Sequence, residues 1–229
     1  MSIRDGKDYL YLIWKDDITR RQYIVGQLSK NGHYEFQYTG EVEEAIKAGF
    51  TPLVPFEDMK KVYTNEELFP VFSSRLPDKK RKDINRILQK YGLEEYDAYK
   101  LLKMSGAKLP IDSLQFIDPI LDFDSGFERK FYMAGVRHYL GCDGEECAKA
   151  IEVTRGDEVF LEREPENKYD SNAIKIISAQ KYLLGYLPRY YSSAFTRLMD
   201  ERRKISCHVC DVDKSKCCSE CIMLMVKVF

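Results

Sequence analysis

Two hydrophobic runs open the chain, Tyr9 to Trp14 and Arg21 to Leu28, and the second leads into Lys30-Asn31-Gly32. Asn-Gly favours a reverse turn with positive φ, so a hairpin is expected there. His33 to Thr39 then places Tyr34, Phe36 and Tyr38 on one face at the two-residue period of a strand. Glu41 to Ala48 suits a short helix stopped by Gly49. From Asn65 the spacing becomes helical. Asn65 to Phe69 leads into Pro70-Val71-Phe72, and Asp78 stands where it could cap a helix carrying Ile84, Ile87, Leu88 and Tyr91 on one side, with Gly92 closing it. A third helix, Asp97 to Met104, turns Leu101, Leu102 and Met104 inward and ends near Gly106.

Residues 118–127 hold Pro119, Gly126 and three Asp with neither period, which marks a linker. Strand patterns then return at Phe131 to Val136, Glu158 to Arg163, Ala173 to Ile177, Ser206 to Val212 and Ile222 to Phe229. Tyr190 to Glu201 is the one clear helix of this half, with Ala194, Phe195 and Leu198 toward the core. The expected class is α+β: residues 1–117 as a small antiparallel sheet with helices, and residues 128–229 as a small β-barrel with one or two helices.

Composition narrows the function classes. No apolar run approaches the roughly 18 residues that span a bilayer, and Asp5, Lys7 and Asp8 interrupt the place of a signal peptide's apolar segment. Seven cysteines, with Cys217 and Cys218 adjacent, suit reduced thiols and a cytoplasmic protein. Residues 1–126 carry 19 Lys and Arg against 21 Asp and Glu, and residues 127–229 carry 17 against 16. Neutralised phosphates supply most non-specific affinity for nucleic acid. Binding without a basic surplus must therefore come from a local pocket.

Three separated motifs carry chemistry in the second half: Ala134-Gly-Val-Arg-His-Tyr-Leu-Gly141, the run Gly156 to Ile176 with Asn167-Lys-Tyr-Asp-Ser-Asn172 inside it, and Leu184-Gly-Tyr-Leu-Pro-Arg189. In that order they resemble the HIRAN domain over roughly residues 128–229. The resemblance implies a barrel that captures the 3′-hydroxyl end of single-stranded DNA. It places Arg137 at the DNA backbone, Tyr169 on a base, and Asp170 as acceptor of the terminal hydroxyl's hydrogen bond. His138 stands where characterised members have a second aromatic, and Tyr186 where they have a histidine.

Side-chain chemistry agrees with those roles. A carboxylate repels phosphate, so Asp170 is useful only where a sugar hydroxyl must be told from a phosphate. Stacking on Tyr169 tolerates any base and is worth roughly 1–3 kcal/mol. Arg137 adds a charge-assisted contact. A plainer reading stands beside this one: Asp170-Ser-Asn172 also suits a turn between strands, with Asp170 and Asn172 capping backbone groups. The two are compatible. Arg163-Glu164 and Leu187-Pro188 read as scaffold.

The first half resembles the N-terminal subdomain of HipA-type toxin kinases over roughly residues 9–117. The matching segments are Val25-Gly26-Gln-Leu28, His33 to Tyr38, Leu68 to Pro77, and Tyr91-Gly-Leu93, Leu101-Leu102, Gly106 and Leu114-Gln-Phe116. In that family the subdomain is not catalytic; it packs on the kinase core and helps contact the antitoxin. No Gly-rich phosphate loop, catalytic Asp with Asn downstream, or metal-binding Asp before a helix occurs here. Kinase activity is therefore not expected.

Cys207, Cys210, Cys218 and Cys221 have the look of paired zinc knuckles. However, Ile205 to Val212 alternates as a strand, where positions three apart face opposite ways, and cysteine is also a common core residue. Cys142 and Cys147 read as structural. The three histidines are scattered, and none pairs with a serine or cysteine nucleophile. The expectation is a non-catalytic protein without cofactor, partnered by the 3′ end of single-stranded DNA and by a helicase, nuclease or toxin kinase, in repair, defence or toxin–antitoxin work. The alternative is a protein-interaction subunit whose first half docks a separate kinase or antitoxin while the second half's pocket is degenerate.

Overall fold

Alternation and turn chemistry build the first sheet. The computed structural model describes residues 3–141 and 153–229; Cys142 and Cys147 lie outside them. The chain divides into two compact units, Met1–Asp122 and Phe123–Phe229. In the first unit, β1 (Ile3–Arg4), β2 (Lys7–Lys15), β3 (Gln22–Asn31), β4 (His33–Tyr38) and β5 (Tyr63–Asn65) follow one another across an antiparallel sheet. The hairpin between β3 and β4 turns at Gly32. Its second strand alternates as expected, with Tyr34, Phe36 and Tyr38 buried. Helix α1 (Val42–Lys47) packs on β3, and α2 (Pro70–Ser73) places Phe72 against Phe36, Phe56 and Phe116.

Two helices depart from expectation. Asp78 caps no helix: its carboxylate accepts the Lys80 N–H at 2.7 Å, a tighter turn that satisfies the side chain locally. Helix α3 (Ile84–Lys90) starts several residues later and fully buries only Leu88 of the four expected apolar positions. Helix α4 (Ala98–Ser105) is capped by Asp97, which accepts the Lys100 N–H at 3.0 Å. It buries Tyr99, Leu101 and Leu102, while Met104 lies outward because 100° per residue carries it to the opposite side of that arc. Strand β6 (Leu114–Ile117) returns to pair with β2.

The second unit is one curled six-stranded sheet: β7 (Phe127–Tyr132), β8 (Glu158–Arg163), β9 (Ile174–Ser178), β10 (Leu183–Tyr186), β11 (Ile205–Val212) and β12 (Ile222–Val228), in the order β10-β9-β8-β11-β12-β7. Helix α5 (Val136–Tyr139) follows β7, and α6 (Arg189–Asp200) follows β10 with Phe195 and Leu198 fully buried and Ala194 half-buried. The strand expected at Phe131 to Val136 runs earlier and ends at Tyr132, since Val136 belongs to α5.

The sheet's two outer strands meet. Just past β7, Ala134 bridges Tyr186 of β10 through two reciprocal backbone bonds, Ala134 N–H to Tyr186 O at 2.9 Å and Tyr186 N–H to Ala134 O at 2.8 Å. That bridge rolls the sheet toward a barrel and covers both of its edges at this point. Gly185 makes it possible. A Cβ there would lie 2.5 Å from the Ala134 carbonyl oxygen and 2.7 Å from the Met133 side chain.

Gly185→Ala should therefore open the seam at a cost of roughly 1–3 kcal/mol, a fall in melting temperature on the order of 10 °C. Gly40→Ala, with nothing within 4 Å of the added methyl, is the control. Calorimetry on both variants checks this; equal melting temperatures would contradict the seam's role.

Candidate nucleic-acid interface

Three segments converge on the closure point. Ala134 leads into Gly135, whose φ of +79° turns the chain out of the bridge and into α5. A side chain would be strained there, and its Cβ would lie 3.0 Å from the Tyr139 ring. Helix α5 carries Arg137 and His138 on its exposed side, and its last residue, Tyr139, packs on Tyr186 with ring centroids 5.4 Å apart. Tyr186 thus belongs to the bridge through its backbone and to the site through its ring.

The third segment joins β8 to β9. It is a tied loop. Glu164 N–H donates to Ala173 O at 2.9 Å, Asn167 N–H to Glu164 O at 3.0 Å, and Ala173 N–H to Asp170 O at 2.9 Å. The Asn167 carbonyl oxygen accepts the N–H groups of Tyr169 and Asp170 at 3.0 and 3.2 Å, and its amide donates to Glu164 Oε2 at 2.6 Å. Asp170 Oδ1 accepts the Asn172 N–H at 2.9 Å. The turn reading is therefore correct for that oxygen. On this fixed turn the Tyr169 side chain points away from the protein, 83% exposed.

Glu164 joins the segments. Its carboxylate accepts the Tyr186 hydroxyl at 2.7 Å and pairs with the Lys175 ammonium at 2.8 Å. Lys175 and then Asn167 hold the Glu164 carboxyl down at about 2; burial pushes the other way by less than either, and the Tyr186 hydroxyl adds a smaller downward pull. Burial, reinforced by that carboxylate and by Tyr139, pushes the Tyr186 phenol well above its ordinary range, so it remains a neutral donor.

Of the five residues expected from sequence, Arg137 and His138 share α5, Tyr169 and Asp170 share the turn, and Tyr186 ends β10 at the bridge. The structure adds Tyr139 and Glu164. Tyr139 lay inside the first motif, and aromatic neighbours at a loop-to-helix transition were a usable signal. Glu164, read as scaffold, links the Tyr186 ring to the turn that carries Tyr169.

The cysteines lie elsewhere. Cys207 is buried in β11, where desolvation pushes its thiol up to about 12, and Cys210 sits at an irregularity in the pairing between Val209 and Asp211. Among the described residues, no three His, Cys, Asp or Glu gather in an arrangement that could hold a metal ion. Nor is any helix among them long and apolar enough to cross a membrane.

Comparison with known proteins agrees with both halves. Residues 127–223 match the family described as the HIRAN domain, and residues 17–110 match the HipA N-terminal domain. The chain is 40% identical over 58 residues to a Fanconi-associated nuclease 1 homolog of Arabidopsis thaliana, covering 25% of this chain and 6% of that protein. It is 30% identical over 94 residues to a helicase-like transcription factor of Oryctolagus cuniculus, covering 41% and 8%. It thus spans less than a tenth of the length of either relative. The HIRAN domain of human HLTF is similar at 22% identity in a crystal structure, covering 44% of this chain and 74% of that one with a TM-score of 0.34. The NMR structure of that domain in its DNA-bound conformation also matches at 22%, covering 46% and 73%, with a TM-score of 0.30.

The Glu164 network has a pH signature. A carboxyl held at about 2, against an ordinary 4.5, stabilises the fold fully above pH 4.5 and loses that contribution as pH falls toward 2. Glu164→Gln should therefore lower the urea midpoint at neutral pH, with the deficit narrowing below pH 4.5. A deficit that stays constant down to the acid limb would show that the charge is irrelevant.

Proposed function

We propose that this protein is non-catalytic and that its second unit captures the 3′ end of single-stranded DNA. One observation carries the reading: an aromatic ring, Tyr169, is held almost fully exposed on a turn pinned by Asn167, beside a carboxylate that uses one oxygen to fix that turn. Folding gains little from an exposed tyrosine on an ordered loop, whereas a base stacked on it gains roughly 1–3 kcal/mol. Asp170 Oδ2 has no partner among the described residues and is free to accept a sugar hydroxyl. The HIRAN match over residues 127–223 supports the assignment, since capture of a 3′-hydroxyl end is what resemblance to that family implies.

Tyr186 stands where the family has a histidine, yet its hydroxyl is committed to Glu164. In this reading it acts as a floor for the site rather than as a hydrogen-bonding contact to DNA. The HipA N-terminal match over residues 17–110 favours a second role, docking of a separate kinase or antitoxin by the first unit. That role is compatible with DNA capture by the second unit.

Short strands differing only at the 3′ end test the reading. Bringing a phosphate to Asp170 in a partly dry site is repulsive, so a 3′-hydroxyl should bind more tightly than a 3′-phosphate by roughly tenfold, about 1.4 kcal/mol. Asp170→Asn should shrink that ratio, and Tyr169→Ala should weaken all sequences alike. Equal binding of the two ends by the wild-type protein, measured by fluorescence anisotropy, rules the reading out and leaves protein docking.

A further inference from the structure

The first unit is acidic except in one place. Residues 79–90 carry six basic side chains, Lys79, Lys80, Arg81, Lys82, Arg86 and Lys90, against the single acid Asp83. The rest of residues 1–122 carries thirteen basic against nineteen acidic. All six basic side chains are exposed. Asp83 is shared between Arg81 at 2.9 Å and Arg86 at 3.9 Å. Lys79, Lys80, Lys82 and Lys90 have no carboxylate partner among the described residues.

Local hydrogen bonds tie the backbone under these lysines. Asp78 accepts the N–H groups of Lys80 and Arg81, and Ile84 N–H bonds back to Arg81 O at 3.2 Å. Lys82, Arg86 and Lys90 recur every four residues, so they lie in a row along the approach to α3 and its outer face. Beside that row, Asn85, Gln89 and Leu93, with the acid Glu94 at one side, line a shallow trough of about 580 Å³. Solvated charge runs are common. What sets this one apart is like charge concentrated on a fixed turn and helix, left without compensation in a unit that is otherwise acidic.

We propose that this row is a second nucleic-acid contact, taking the phosphodiester backbone of single-stranded DNA. A line of unpaired ammonium groups suits a regularly charged polyanion, and binding releases that polymer's counterions. The inference deepens the end-capture reading and rests on it for the choice of DNA over an acidic polypeptide. It also supplies what the second unit lacks: residues 127–229 are nearly neutral, with 17 basic against 16 acidic, so their pocket alone offers little attraction to phosphate. Asn85 and Gln89 present amides toward which bases could turn.

The test uses the full chain with labelled oligothymidines of about 6 and about 30 nucleotides, bracketing the site of a single small barrel. The variant K79E/K80E/K82E reverses three exposed charges; K47E/K60E/K61E makes the same net change elsewhere on the unit. Circular dichroism confirms that both fold, and K79Q/K80Q/K82Q replaces the first if it does not. The patch variant should weaken the long strand by roughly tenfold or more and flatten its log–log salt slope by about 2, since each phosphate contact on a single strand contributes about 0.7. The short strand and the control variant should be unaffected.

An unchanged long-strand affinity and slope in the patch variant overturns the proposal while leaving end capture standing, provided that the short strand still binds. Failure of the short strand, with long-strand binding that depends on the patch, sinks end capture and keeps the patch. If polyglutamate binding is lost in the patch variant and DNA binding is not, the occupant is an acidic polypeptide and the proposal is wrong.

Discussion

Two backbone hydrogen bonds between Ala134 and Tyr186 close the second unit, and the candidate site exists because they do. A sheet of six strands could otherwise leave β7 and β10 as open edges, with α5 and the Tyr186 ring held apart. Gly185 admits the approach because it has no side chain to strike the Ala134 carbonyl, and Gly135 turns the chain sharply afterwards. Segments far apart in sequence, 134–139 and 183–186, are thereby fixed against each other. The tied turn at 164–173 is joined to them through Glu164.

Electrostatics inside the site follow from that geometry. Glu164 is ionised, but its charge is met by Lys175 and by two neutral donors, so it presents little net repulsion to an incoming strand. Asp170 differs: one oxygen fixes the turn and the other is left over. The same side chain can thus be structural and discriminating at once. Affinity from stacking and one hydroxyl contact is modest.

Much of this was legible in the sequence. The strands at Tyr34 to Tyr38 and Glu158 to Arg163, and the helix near 190–201, are marked by residue type and hydrophobic spacing and form where expected. The site residues were named through a family resemblance, because nothing in local spacing says that Arg137 and Tyr186 share a surface. What escaped was governed by competition and by closure. Asp78 found a nearer donor than a helix N-terminus, and Met104 carried the hydrophobicity of a core residue at the wrong angle. Glu164 looked like a surface charge until the fold brought Lys175, Asn167 and Tyr186 to it. β10 was missed because only four residues form it, and its place is set by the bridge.

If closure makes one binding surface from three separated segments, a bound strand must touch all three. Amide chemical-shift mapping of the full chain during titration with a short 3′-hydroxyl strand tests it most directly. The largest shifts should fall together, at one midpoint, on residues 135–140, 167–172 and 186. Shifts confined to one of those segments, or centred instead on Phe160 and Arg203, would contradict it.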